Sequence, residues 1–179
     1  MSRSIIIAEA GVNHNGKIGI AKRLVDASAA AGADFVKFQT FKAVNLATLE
    51  APKAAYQMIS SDKNQLQQTM LSNLQLTKSM HFELLKYCGN KKIGFLSSAF
   101  DITSLEFLST LKLKYFKIPS GEITNLPYLL EVGKYGRPII LSTGMSSLSE
   151  IRFALKTLVK AGTPKSKIIV LHCNSEYPT

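Results

Sequence analysis

Two lysines, two glutamates and a set of hydroxyls recur at matching places along this chain, each just after a short apolar run. Glu9 ends the run IIIAE, Lys37 and Gln39 close DFVKFQ, and Ser98 follows IGFLS. Lys117 interrupts YFKI and is followed by Pro119-Ser120-Gly121-Glu122, while Ser142 and Thr143 end IILST. Asn13 and His14 lie in the loop after Glu9, and His172, Ser175 and Tyr177 close the sequence. Gathered at one rim, two ammonium groups with several hydroxyls and turn glycines suit a phosphate and a carboxylate: the charges attract, and the hydroxyls and loop amides direct. Glu9 and Glu122 are candidates for acid/base work or for holding substrate hydroxyls. A Schiff-base lysine at position 37 or 117 is a competing use of the same residues.

Plainer roles stand beside these. Lys117 can snorkel from an ordinary βα loop to water. His172 sits in an apolar run and suits a satisfied core histidine, and His14 suits a brace for its loop. Cys173 suits small core filler, since no base neighbours it in sequence.

Positioning these residues calls for strands that end together. Runs at 5–9, 34–39, 93–97, 115–118, 138–141 and 167–173 read as strands, and helical periodicity lies between them. Gly32, Gly136 and Gly162 stand where the intervening helices stop. Thr77, Asn125 with Pro127, and Ser147 with Glu150 read as helix starts, as do Thr103 and Glu106 in the pattern of a capping box. Residues 43–76 are the least regular part, with a turn expected at 60–64, and form either a covering loop or a partner surface.

Alternating β and α elements imply a parallel sheet, open or closed. No GxGxxG or P-loop follows the first strand, which argues against a nucleotide fold. Chemistry spread over the ends of successive strands is typical of a (β/α)8 TIM barrel, an α/β fold of ~250 residues. The 179 residues read as its first six βα units.

Composition agrees with a globular chain: 46% hydrophobic, 19% charged and two cysteines, with no disulfide framework and a reducing, cytoplasmic setting expected. No apolar run is long enough for a membrane span or a signal peptide, so no membrane is expected. The net charge of +10 comes from scattered lysines rather than a basic block, so the expectation is acidic small molecules and not nucleic acid.

IIIAEAGVNHNG, ADFVKFQTFKA, GFLSSAFD, FKIPSGEITNLPYL, IILSTGM and LHCNSEYPT, in this order, resemble the sialic acid synthase family, and most of all its bacterial N,N′-diacetyllegionaminate synthases. Such enzymes condense phosphoenolpyruvate with an N-acetylated mannose-type sugar to give a nine-carbon sialic acid and phosphate. The resemblance implies that residues 1–179 are the N-terminal part of the barrel, lacking its last strands and a C-terminal antifreeze-like domain that reaches into the partner's site in a homodimer. It further implies that phosphoenolpyruvate is held by Lys37, Gln39, Ser98, Lys117, Ser120, Ser142 and Ser175. Glu9 and Glu122 would be the catalytic carboxylates, and Tyr177 would lie by the sugar. Ser98-Ala99 stands where many members have Thr-Pro, and Ser175 where some have Asn. A divalent metal, usually manganese, is implied with its two histidine ligands beyond this chain, and neither His14 nor His172 matches them. A truncated paralogue that binds a sugar acid without turnover is the non-enzyme alternative.

Overall fold

The computed structural model describes residues 3–52 and 66–175, so the turn expected at 60–64 and the candidate Tyr177 lie outside the described residues. Six strands form one parallel sheet in sequence order, β1-β2-β3-β4-β5-β6. Parallel neighbours need a crossover between them, and helices supply it after each of the first five strands. This is the strand and helix succession of a (β/α) barrel, six strands of it, as the sequence pattern implies. No helix among the described residues is long and apolar enough to cross a membrane. The chain divides into two compact units, residues 1–95 and 96–179.

The first unit holds β1 (Ile7–Gly11), α1 (Ile18–Ala30), β2 (Phe35–Thr40), α2 (Ala43–Leu46), α3 (Gln67–Asn73) and α4 (Lys78–Asn90). β1 begins two residues later than its isoleucine run suggests. Asp34 is the cause: its carboxylate accepts the Ile6 amide at 2.8 Å and pairs with Arg3, so the ladder starts only at Ile7 opposite Phe35. Ile5 and Ile6 stay exposed. In this register Glu9 lies opposite Lys37. A bulge follows between Glu9 and Gly11, which at φ +53° lies opposite Phe38 and ends the strand.

Thr77 caps α4 as expected, accepting the Met80 amide. Asp26 on α1 accepts the Tyr87 hydroxyl of α4 at 2.9 Å and pairs with Lys91 at 2.7 Å. Lys22 and Lys91 both lie over the Tyr87 ring, about 5 Å from its centroid. Between helices and strands, Val25, Val36, Phe38, Leu84 and Cys88 are buried, and burial pushes the Cys88 thiol up to about 12. Cys88 is packing, not chemistry.

β3 (Gly94–Ala99) starts in the first unit and continues into the second. There follow α5 (Ile102–Thr110), β4 (Phe116–Ile118), a 3-10 turn at Ser120–Glu122, α6 (Leu126–Lys134), β5 (Ile139–Ser142), α7 (Leu148–Ala161) and β6 (Ile168–Leu171). The expected capping box of Thr103 and Glu106 does not form. α5 begins one residue before Thr103, and Asp101 caps it, accepting the Ser104 amide at 2.8 Å and the Ser104 hydroxyl at 2.7 Å. Asn125 with Pro127 starts α6, and Ser147 and Glu150 form the reciprocal box on α7, both as expected. α6 meets α7 at Gly133, where a Cβ would run into the Ala161 methyl group. The Thr163 hydroxyl donates to the Gly133 carbonyl at 3.0 Å.

β6 stops at Leu171, short of the expected Cys173. His172 is exposed beyond it, so it is not a core histidine, and Cys173 is half-buried with its thiol toward the Leu171 carbonyl. Among the described residues β6 pairs only with β5, and Ile169 and Val170 remain exposed.

Candidate anion site

Registers decide which side chains share a face. Ser98 lies opposite Lys117, and Lys117 opposite Ile140, two residues before Ser142. Period-two alternation therefore sends Ser98, Lys117 and Ser142 to the same side of the sheet, at strand ends. Lys117 does not snorkel. It is 7% exposed, and its Nζ donates to Ser142 Oγ at 2.5 Å and to the Ile118 carbonyl at 2.9 Å. An ammonium in such a place is costly unless hydrogen-bonded. Beside it Ser98, 1% exposed, has a hydroxyl with no hydrogen-bond partner among the described residues. A buried hydroxyl left unmet costs about 1–3 kcal/mol. A dry cation beside an unspent hydroxyl suits an anionic ligand's oxygen.

Past the strand ends, Ser120 Oγ accepts the Gly144 amide at 2.9 Å. A Cβ on Gly144 would strike Ser175 Oγ and come within 3.1 Å of Ser120 Oγ. Ser120, Gly144 and Ser175 thus converge, and a side chain at position 144 would have to push the Ser175 hydroxyl aside. Thr143 serves the frame: its hydroxyl donates to the Leu171 carbonyl at 2.7 Å. Glu122 is half-buried, with Oε2 accepting from the Asn125 amide group at 2.6 Å. The residue capping α6 therefore also aims the carboxylate.

In the first unit Lys37 and Glu9 form an ion pair, Lys37 mostly buried and Glu9 about half exposed. Glu9 Oε1 and Gln39 Nε2 both lie within 4 Å of the place a Cβ on Gly11 would take. Glu9, Lys37 and Gln39 are thus brought together where the bulge makes room. Asn13 is exposed beyond them. His14 braces its loop: the ring is fully buried, and Nδ1 accepts the Gly16 amide at 3.0 Å. Burial, then the nearby His81, holds its imidazole below the usual histidine range.

Two residues escape the sequence reading. Tyr128, fully buried, donates its hydroxyl to the Ala99 carbonyl at 2.9 Å and props the chain just past Ser98. Burial raises its phenol far above the usual range, so it acts as a fixed donor. His81, on α4, holds Thr40 at the end of β2. The only sequence signal for either was a polar aromatic on the sheet-facing side of a helix, a position that ordinary core residues share. For a metal ion, no group of three or more His, Cys, Asp and Glu stands together among the described residues.

The NeuB family's sequence model matches residues 24–179. The N,N′-diacetyllegionaminic acid synthase of Campylobacter jejuni is 49% identical over 178 residues, which are 99% of this chain and 53% of that protein. The synthase of the same description from Legionella pneumophila is 45% identical, over 97% of this chain and 49% of its own length. Among solved structures, the N-acetylneuraminic acid (sialic acid) synthetase of Leptospira borgpetersenii serovar Hardjo-bovis, in complex with citrate, superposes with a TM-score of 0.79 at 29% identity. The match covers 98% of this chain and 56% of that one. The chain spans about half the length of the curated relatives it matches. With the family pattern running over most of its residues and nearly half of its positions shared with a legionaminic acid synthase, this chain belongs to the NeuB family.

Proposed function

We propose that residues 1–179 supply the phosphoenolpyruvate-binding part of a synthase of the legionaminic or sialic acid type. It joins phosphoenolpyruvate to an N-acetylated mannose-type sugar and releases phosphate. The observation that carries this reading is the buried Lys117 ammonium bonded to Ser142 beside the unspent Ser98 hydroxyl. Phosphoenolpyruvate carries a carboxylate and a phosphate, and the residues fall into clusters able to take both. Lys117, Ser98 and Ser142 hold one anionic group; the Ser120 and Ser175 hydroxyls at the narrow turn of Gly144 add donors. Lys37 and Gln39 supply a further cation and amide, with Glu9 as the carboxylate that a bound anion displaces from Lys37.

In the reaction C3 of phosphoenolpyruvate forms the new bond to the sugar's aldehyde carbon. Water adds at C2, and phosphate departs with C–O cleavage to leave the keto acid. Glu122, held by Asn125, is the carboxylate for water or for a proton at C2, and Glu9 serves the sugar side. Tyr177, outside the described residues, is assigned to the sugar. The family's divalent metal, manganese by the resemblance, is assigned to two histidines on the rest of the polypeptide, and the residues here perform no step through it. The complete protein adds the remaining strands and an antifreeze-like domain, and works as a homodimer in the cytoplasm. Among the described residues β6 pairs with β5 alone, which supports a further strand beside it.

The test is phosphate release from phosphoenolpyruvate with manganese and N-acetylmannosamine-type sugars, by residues 1–179 and by the chain with the downstream segment added. Release is expected only with the added segment. Manganese-dependent release by residues 1–179 alone would overturn the division of labour. Labelling of Lys37 or Lys117 by pyruvate and borohydride would replace condensation with Schiff-base chemistry. Failure of the completed enzyme to bind phosphoenolpyruvate would leave a sugar-acid-binding protein.

A further inference from the structure

Thr40 is the last residue of β2, one past Gln39 and three past Lys37. Lys37 and Gln39 share one face of the strand, while Phe38 and Thr40 share the other, against the helices. Thr40 is therefore the rear fastening of the strand end that presents a lysine and an amide to the site. What fastens it is His81. Thr40 Oγ1 and His81 Nε2 are 2.8 Å apart, and His81 Nδ1 is 2.8 Å from the Thr77 carbonyl oxygen. A carbonyl only accepts, so Nδ1 carries the proton. The neutral ring then accepts at Nε2, and the Thr40 hydroxyl must donate to it. The Thr77 carbonyl also takes the His81 backbone amide at 3.1 Å, so main chain and ring of one residue lock onto the same oxygen. The ring is 1% exposed and meets Phe95 edge-on, with centroids 6.2 Å apart. Burial holds the imidazole below its usual range, in keeping with the neutral form this pattern requires.

We propose that His81 is a positioning residue for phosphoenolpyruvate binding: through Thr40 it ties the carboxyl-terminal end of β2 to the first turn of α4, and so fixes where Lys37 and Gln39 meet the ligand. The claim rests on the reading of Lys37 as a phosphoenolpyruvate contact. A histidine that merely packed would need neither the single tautomer nor a hydroxyl at the strand's last position. A side chain that positions a charged contact acts on ligand affinity, because a charge-assisted hydrogen bond weakens steeply once its distance and angle slip.

Two amides separate the alternatives, since each copies one ring nitrogen. Glutamine reaches the Nε2 position and can accept from Thr40, whereas asparagine reaches only the Nδ1 position and can donate only to Thr77. In the complete enzyme, H81N and T40V are expected to raise KM for phosphoenolpyruvate about ten-fold with kcat within about three-fold, and H81Q to recover most of the parental KM. T40V keeps the shape of threonine and carries the test if H81N fails to fold. Nitrogen NMR of the parent protein near neutral pH should show His81 protonated on Nδ1. An Nε2–H tautomer, or H81N matching the parent while H81Q loses affinity, would reduce His81 to a cap for α4 and overturn the proposal. K37M separates this claim from its foundation. If K37M raises KM but H81N and T40V do not, positioning alone falls; if K37M leaves KM unchanged, the phosphoenolpyruvate reading falls and positioning with it.

Discussion

Lys117 shows what a single residue can disclose before and after its surroundings are known. In sequence it stands out because an apolar strand has no use for a lysine, and that anomaly led to the site. Sequence left open whether the ammonium reached water, since that depends on the side chain's length against the depth of the strand. Its bonds to Ser142 and the Ile118 carbonyl keep it inside. His81 and Tyr128 were not legible for the converse reason: a polar ring on the sheet-facing side of a helix is an anomaly only once its partner is known. Among the legible residues, Lys37 and Glu122 make separate predictions. A hydrogen bond to a charged group is worth about 1.5–3 kcal/mol, so K37M should weaken phosphoenolpyruvate binding in the complete enzyme by ~10- to 100-fold. Calorimetric titration giving the parental dissociation constant would take Lys37 out of the site. E122Q keeps an oxygen for the Asn125 amide, so its geometry should persist while the charge goes. If Glu122 handles water or a proton, kcat should fall by roughly 100- to 10,000-fold with modest change in KM. Turnover at the parental rate would leave Glu122 as a turn residue.

Elements were legible wherever a local signal had a single meaning. Asn125-Leu-Pro and Ser147 with Glu150 start helices because their side chains meet amides that nothing else can reach. Asp101-Ile-Thr-Ser-Leu-Glu offers two caps in three residues, and the pattern alone favoured the wrong one. Asp101 prevails because both of its oxygens find donors on Ser104. Its removal should cost about 1 kcal/mol of stability, while T103A should change little. Urea midpoints of the two variants compare these directly; equal losses would return the capping role to Thr103. Strand limits slipped by one or two residues because they depend on partners. The Asp34 side chain takes the Ile6 amide, and nothing within the isoleucine run itself could announce that.

For the molecule as a whole, the order of strands was legible because alternation with helices leaves a parallel sheet few other arrangements. Stability against acid was not, since it depends on two histidines whose burial no motif reveals. Both His14 and His81 are held below the ordinary value of 6.5, chiefly by burial. Between the folded and unfolded values the unfolded chain binds more protons, so stability is full above about pH 6.5 and is lost as pH falls through the folded values. Urea midpoints should therefore decline from pH 7 to pH 5, and H14Q should flatten the slope. A parental midpoint independent of pH over that range would show that neither ring stays neutral on folding. The sheet's strict sequence order has a consequence on the ribosome. Each strand after β1 finds a neighbour among residues already synthesised, while β1, at one end of the order, has β2 alone on its inner side. Emerging at ~5–20 residues per second, the chain can be laid down strand by strand as it leaves the tunnel. A growing polypeptide then shows the cell two sheet edges, the constant one of β1 and the moving one of its newest strand.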